Sequence, residues 1–346
     1  KKRVTAKEIA RELGISVMTV SRALNNRPNV DEETRHKVIN TARRLGYVPN
    51  GIAKSLVMQK TFTIGVVVPE ITHSFFPEAI RGIEEVTSKS GYHLILTHSA
   101  EDAARESDVL HLLERQRVDG ILISKAQTVE KDEVYEQLVR QRLPVVFFDR
   151  CVQGIGVNCV SVNDEEGAKE ITEHLIVVHR YPRIAHLSGP QHVSIGEARL
   201  RGFKIALQSR DWPFYEGLVV EAGFHESGGY SAMTKLLEMP PEQRPRAVVA
   251  VNDPAAFGAM KAIQDWGLKI PQDIALVGFS DDIRSELMDT PLTTVHQPAY
   301  EVGKKAAEKL VAVIEGTSSG IEEIVVGTQQ VIRNSCGCNL ESNWPG

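Results

Sequence analysis

Between Val4 and Asn26 the apolar residues recur at helical spacing in two short runs, Ile9-Ala10-Leu13 and Val20-Ala23-Leu24, separated by Gly14-Ile15-Ser16. Two short helices joined by so tight a turn form the helix-turn-helix pattern. Thr5 and Glu8 make a capping box for the first helix; Gly14 ends it, and Ser16 caps the second. The buried stripe leaves Val17, Met18, Ser21 and Arg22 facing outward. Apolar side chains on a face that meets only water would be out of place. Against a major groove they can meet thymine methyls, and Arg22 can bond a guanine edge in bidentate fashion. A third helix is predicted after Asp31, with Glu32 and Glu33 in its first turn and Arg43 and Arg44 in its last, matching the helix dipole, before a stop at Gly46. A short helix from Gly51 to Met58, capped by Asn50, is marginal alone. Gly51 weakens it by about 1 kcal/mol relative to alanine, so it is expected to order only with a partner.

From Thr61 the period changes. Apolar runs at 63–68, 92–97, 120–124, 144–149, 159–163, 183–188, 218–221, 247–251 and 274–279 read as strands. Between most of them lie helical patterns at 76–90, 105–117, 131–141, 165–178, 196–209, 227–238 and 254–266. Strand and helix alternating in this way predict parallel sheets covered on both faces. This many units, in a chain too long for one ordinary core, predict two such sheets. No short-period repeat interrupts them, and the segment Pro240 to Pro245 reads as a surface loop.

Charge divides the chain at the same place. Residues 1–60 hold 13 Lys and Arg against 5 Asp and Glu, whereas the remainder holds 27 against 40. A short basic unit joined to a long acidic one is the footprint of polyanion binding, since neutralised phosphates release counterions. There is no long apolar run and no signal sequence at the start, so the cytoplasm is the expected location. Four cysteines, Cys151, Cys159, Cys336 and Cys338, form neither a dense disulfide framework nor a C-x-x-C pair, which fits a reducing compartment. Cys336 and Cys338, one residue apart, read as part of an ordinary tail rather than a zinc site. His174 and His179, like His93 and His98, are five apart, off the i, i+4 spacing of a helical metal pair. No metal or cofactor is expected. Walker, G-x-G-x-x-G, H-E-x-x-H and G-x-S-x-G motifs are all missing, which argues against an enzyme.

Seven segments, in order, resemble the LacI/GalR family of bacterial transcription regulators: T-V-S-R-A-L-N (19–25), L-G-Y-V-P-N (45–50), A-K-S-L (53–56), T-I-G-V-V-V-P (63–69), V-D-G-I-L (118–122), N-D-P-A-A-F-G-A-M (252–260) and P-L-T-T-V-H-Q-P (291–298). The resemblance covers nearly the whole chain. It implies an all-α helix-turn-helix head at 1–49, a hinge helix and linker at 50–60, and an α/β core like a periplasmic binding protein, made of two doubly wound parallel-sheet subdomains. The implied subdomains are 61–162 with 292–322, and 163–291 with 323–335, followed by a tail at 336–346. A homodimer, in some members a tetramer, is implied, with paired heads on a pseudopalindromic double-stranded operator and a small effector in the cleft, a sugar or sugar derivative being favoured.

Carried over position by position, the resemblance assigns base reading to Val17, Met18 and Arg22, and phosphate contacts to Thr5, Ser16, Thr19, Ser21, Asn25 and Tyr47. The hinge contributes Asn50, Ala53 and Leu56, the last resembling a minor-groove wedge. Gly51 and Val57-Met58 depart from the family's usual hinge residues. In the cleft, Asp149 ends a strand where open α/β sheets bind ligands. Arg199 lies in R-L-R-G-F and Asn252 in N-D-P; with Asp149 they offer donors and acceptors for vicinal hydroxyls. Phe75, Phe76 and Phe224 could stack on an apolar ring face. In G-F-S-D-D, Ser280 stands where the family usually carries a ligand-binding aspartate. Either the carboxylate role moves to Asp281, or the pocket recognises something different. A transport-type solute-binding protein without a DNA role is the competing class, opposed by the basic head.

Overall fold

A computed structural model describes residues 4–47, 60–318 and 320–338. The expected hinge helix, with Asn50, Ala53 and Leu56, lies outside the described residues. The chain divides into two compact units after Thr61.

In the first unit, α1 (Ala6–Leu13), α2 (Val17–Leu24) and α3 (Glu32–Leu45) enclose a small core of Ile9, Ala10, Val20, Ala23, Val38 and Ala42. The ends form as their residues dictate. Thr5 N–H donates to Glu8 Oε2 at 2.6 Å, Ser16 Oγ accepts from the Thr19 amide at 3.0 Å, and Asp31 Oδ1 accepts from the Thr34 amide at 2.8 Å. Gly14 takes a left-handed φ of 65°, which glycine adopts without Cβ strain and which permits the sharp turn into α2. Arg35 adds a link that local pattern does not announce. From α3 its guanidinium donates to the carbonyls of Arg27 and Val30 at 3.2 and 3.4 Å, tying down the loop that follows α2.

The second unit begins with β1 (Thr63–Val68), α4 (Phe75–Lys89), β2 (His93–His98), α5 (Ala103–Arg115), β3 (Gly120–Ile123), α6 (Glu133–Arg140), β4 (Val145–Phe148) and β5 (Asn158–Val162). The chain then builds a second layer from α7 (Asp164–Val177), β6 (Ile184–Ser188), α8 (Ser194–Ser209), β7 (Val219–Glu221), α9 (Glu226–Leu237), β8 (Ala247–Ala250), α10 (Asp253–Asp265) and β9 (Ala275–Val277). It finishes with β10 (Thr294–His296), α11 (Ala299–Ile314), β11 (Glu323–Val326) and β12 (Gln329–Val331). The result is a six-stranded parallel sheet ordered β11-β5-β4-β3-β1-β2 and a four-stranded parallel sheet ordered β7-β6-β8-β9. β3, β4 and β8 are buried along their whole length, as strands covered on both faces must be.

Three passages of chain join the two layers: from β5 into α7, through β10 into α11, and through β12, which pairs antiparallel with β10. α11 returns to the first layer and packs on α4. Their backbones approach so closely that a Cβ on Gly82 would lie 2.1 Å from the Tyr300 carbonyl oxygen, and one on Gly303 1.9 Å from that of Ala79. The third passage corrects the expected boundary at 322/323. β11 runs parallel to β5, with Glu323 opposite Cys159, so it completes the six-stranded sheet and the chain crosses only after Val326. The expected free tail is also corrected at its start: Cys336 is fully buried, and Ser335 exchanges backbone hydrogen bonds with Pro291 and Leu276. Cys151 and Cys159 form a disulfide that closes the β4–β5 connection, which corrects the expectation of a wholly reduced set. Their strand ends meet because β4 and β5 are sheet neighbours. Among the described residues no helix is long and apolar enough to cross a membrane.

Candidate ligand cleft and nucleic-acid face

On the head, the start of α2 presents Val17 and Met18 at 42% and 63% exposure. Val20 and Ala23 point the other way, into the core, so the exposed pair is a consequence of helical phase. Arg22, one turn on from Met18, is exposed, and its guanidinium has no ion-pair partner among the described residues. Thr5, Ser16, Ser21 and Asn25 are exposed, whereas Thr19 and Tyr47 are half-buried. Ser16 and Thr5 sit at helix N-termini, where free amides favour an anion. Asn25 is partly spoken for, since its amide donates to the Ser21 carbonyl at 2.8 Å.

In the second unit a cleft of about 470 Å³, including its open mouth, lies between the two sheet layers at the carboxyl ends of their strands. Seven of the eight predicted cleft residues line it: Phe75, Phe76, Asp149, Arg199, Phe224, Asn252 and Ser280. Asp281 does not. Its carboxylate is held by Arg333 at 2.7 Å and His296 at 3.1 Å, and Asp282 faces the cleft in its place. The cause is in the backbone: Ser280 and Asp281 have φ of 133° and 57°, so the chain twists after β9 and turns the Asp281 carboxylate outward.

The lining residues differ in how free they are. Asp149, just past β4, also has a positive φ, 61°, which aims its side chain into the cleft. Burial pushes its carboxyl up to about 6, against the pull of Arg150 and Arg199. Arg199 and Asn252 are largely occupied. Arg199 donates to Asp164 Oδ1 and to the Val251 carbonyl at 2.8 and 2.7 Å, and its guanidinium lies 3.8 Å from the centre of the Phe279 ring. Asn252 caps α10 by accepting from the Ala255 amide, while its own amide donates to the Phe224 carbonyl, both at 2.9 Å.

Sequence reasoning missed several members. Arg150 spans the floor, paired with Glu101 at 2.8 Å and 4.3 Å above the centre of the Phe224 ring. Among the described residues Arg150 Nε and Gln297 Nε2 are buried without a hydrogen-bond partner, although Nε lies 3.8 Å from Asp149 Oδ2, and both residues line the cleft, so two donors there are free to meet a ligand. Arg150 stands beside Asp149 and Gln297 ends the P-L-T-T-V-H-Q segment, but only the fold shows that they converge.

A second missed group spans the mouth. His73 lies between Glu70 of the first layer at 3.0 Å and Glu226 of the second at 3.7 Å, and Glu226 is held in turn by Arg284 at 2.9 Å. Burial alone would lower the His73 pKa, but the Glu70 hydrogen bond and the charges of Glu70 and Glu226 outweigh it and raise it above its ordinary 6.5. Glu70 is held at about 2 although burial opposes this, because His73 and Thr72 donate to it. A histidine with a raised folded pKa contributes stability that is complete below its ordinary value and lost as pH rises through the raised one. The unfolding midpoint of the free protein is therefore expected to fall as pH rises from the ordinary histidine value through the raised one. Glutamine at position 73 should flatten that slope; a slope identical to the parent's in thermal melts would remove His73 from the closure of the mouth.

A helix-turn-helix with an exposed second helix on one unit and a cleft between two parallel-sheet layers on the other define a class: a regulator with a ligand-binding core. Residues 5–50 match the model for bacterial regulatory proteins of the lacI family, and residues 61–334 the model for periplasmic binding proteins and the sugar-binding domain of the LacI family. The chain belongs to the LacI family of bacterial regulatory proteins. It is 34% identical over 308 residues to catabolite control protein A of Priestia megaterium, covering 89% of this chain and 91% of the relative. Among solved structures it is similar to the Lac repressor dimer bound to operator and the anti-inducer ONPF, with TM-score 0.84 and 25% identity over 97% of this chain and 99% of that one. The transcriptional regulator CelR–cellobiose complex is similar with TM-score 0.73 and 28% identity, over 96% and 100% of the two chains.

Proposed function

We propose that this chain is a cytoplasmic repressor that binds a double-stranded operator as a homodimer and releases or engages it when a small effector, a sugar or sugar derivative, fills the cleft. The exposed face of α2 carries the DNA part of the reading: two apolar side chains lie together with an arginine that has no ion-pair partner among the described residues, where water alone would favour polar groups. Val17 and Met18 would meet thymine methyls, and Arg22 a guanine edge. Phosphates would be held by Thr5, Ser16, Thr19, Ser21, Asn25 and Tyr47, and the hinge residues Asn50, Ala53 and Leu56 would reach the operator centre.

The polyol part rests on the mixture of an acceptor, Asp149, with the unmet donors of Arg150 and Gln297 beside the faces of Phe75, Phe76 and Phe224. Each hydroxyl of a sugar both donates and accepts, and its C–H faces are apolar, so this lining fits one. Similarity to a cellobiose complex supports the same class. Catalysis is not part of the proposal; a turnover assay on sugars tests that.

Arg22→Ala is expected to cost ~1–3 kcal/mol at one guanine position of the operator and to relax discrimination there. An electrophoretic shift series over operator variants measures it, and unchanged discrimination would remove Arg22 from base reading. Deleting residues 1–60 should abolish the shift; a core that still shifted the operator would favour a different DNA surface. Effector and operator must alter each other's affinity by the same factor, because the coupling is one free energy.

A further inference from the structure

Away from the cleft, four side chains far apart in sequence come together. His174 lies in the last turn of α7, His179 two residues past its end, and Cys336 and Cys338 in the segment after β12. One ligand atom from each, an imidazole nitrogen or a sulfur, lies within 4.8 Å of all the others. Cys338 Sγ is 3.6 Å from His174 Nε2 and 3.3 Å from His179 Nε2. A thiol has one proton and cannot donate to both imidazoles. Around a tetrahedral ion with metal–nitrogen bonds of about 2.0 Å and metal–sulfur bonds of about 2.3 Å, the nitrogen–sulfur edge is about 3.5 Å. Both separations are those of ligands sharing one ion.

The surroundings hold this arrangement. The Tyr181 ring stacks on His179 with centroids 5.4 Å apart, and its hydroxyl donates to the Cys336 carbonyl at 3.0 Å. Gly337, between the cysteines, has φ of 107°, and a Cβ there would come within 2.8 Å of the Tyr181 hydroxyl and 3.2 Å of His179 Cε1. The turn therefore needs glycine, whose missing Cβ leaves room for the Tyr181 hydroxyl and the His179 ring beside the two cysteines. Ser335 fastens the segment from the other side, its hydroxyl donating to the Leu276 carbonyl at 2.6 Å.

We propose that His174, His179, Cys336 and Cys338 form a tetrahedral structural zinc site that fastens the segment after the third inter-layer passage to α7. Two sulfurs and two imidazoles select zinc over the hard cations magnesium and calcium. On binding, Zn²⁺ replaces the two thiol protons, which pass to solvent, and the thiolates balance its charge. Four protein ligands leave no open position, so the site holds structure and does no chemistry. It anchors the far end of β12 to the second layer, whatever movement the cleft undergoes.

The test uses the full chain with Cys151→Ser and Cys159→Ser, so that no other thiols compete, reduced and stripped with a chelator. Adding Zn²⁺ alone should load one ion per chain by elemental analysis and raise the unfolding midpoint. Co²⁺ alone should give the intense visible bands of a tetrahedral thiolate site, displaced by Zn²⁺. Cys338→Ser and His179→Gln should each lose those bands while keeping the parent's circular dichroism; the half-exposed His179 serves if the cysteine variant misfolds. The proposal is overturned if the reduced chain takes up neither ion, if cobalt gives only the weak spectrum of a six-coordinate site, if either folded variant keeps the bands, or if Cys336 and Cys338 pair as a disulfide with Zn²⁺ present.

Discussion

Arg199→Ala is expected to lower the free energy of unfolding by ~3–5 kcal/mol, the cost of stripping one partner from a buried ion pair. Arg199 is 2% exposed, and it pairs with Asp164, itself buried at the start of α7. Its Nε and Nη2 reach the same carboxylate oxygen at 2.8 and 2.7 Å, Nη1 reaches the Val251 carbonyl, and its plane lies on Phe279. One side chain thus joins α7, α8, the end of β8 and the end of β9. Alanine leaves the Asp164 carboxylate in an apolar surround with nothing to offset burial, which already pushes its pKa up. Lysine keeps the charge but not the planar fork, and should recover only part of the loss. Denaturant titration measures all three proteins. A loss under about 1 kcal/mol for the alanine variant would return Arg199 to a purely ligand-facing role.

Asp149→Ala is expected to weaken effector binding by about 100-fold or more, with little change in fold. A hydrogen bond to a charged group is worth about 1.5–3 kcal/mol, and tenfold in affinity is about 1.4 kcal/mol, so two hydroxyls on one carboxylate suffice. Its pH dependence separates this from a change of shape. Burial raises the Asp149 pKa from an ordinary 3.8 to about 6. For a carboxyl shifted in this direction, stability is present below the ordinary value and lost as pH rises through the raised one, so the empty cleft becomes costlier between about pH 4 and 6. A polyol that donates to the ionised carboxylate offsets that cost, so its affinity should rise across the same window. Calorimetric titration with the sugar that most raises the unfolding midpoint checks it, with cellobiose as the first probe. Asp149→Asn should bind weakly and without that pH dependence; an affinity equal to the parent's would place the ligand elsewhere in the cleft.

Most secondary structure was legible because it is local. The helix-turn-helix announces itself through Thr5, Gly14 and Ser16, whose preferences act over three or four residues, and the strands of the core through uninterrupted apolar runs such as Val145–Phe148. The alternation as read stops at Phe279. Beyond it α11 carries helical spacing at Val302, Ala306 and Leu310, but β10, β11 and β12 are three or four residues long, and β11 is an edge strand with exposed positions. Segments so short carry little periodicity, so their pairing was decided by which neighbours the sheets still lacked.

By itself the sequence determined the class: a basic helical reader followed by an acidic α/β core, each patterned over windows short enough to read. Tertiary structure decided which polar groups meet. Asp282 rather than Asp281 faces the cleft because two successive residues with positive φ turn the chain. Arg150 and Gln297 converge from positions nearly 150 residues apart, and the two histidines of α7's end meet two cysteines that looked like part of a tail. Such meetings depend on strand order and crossover, and no local preference encodes either.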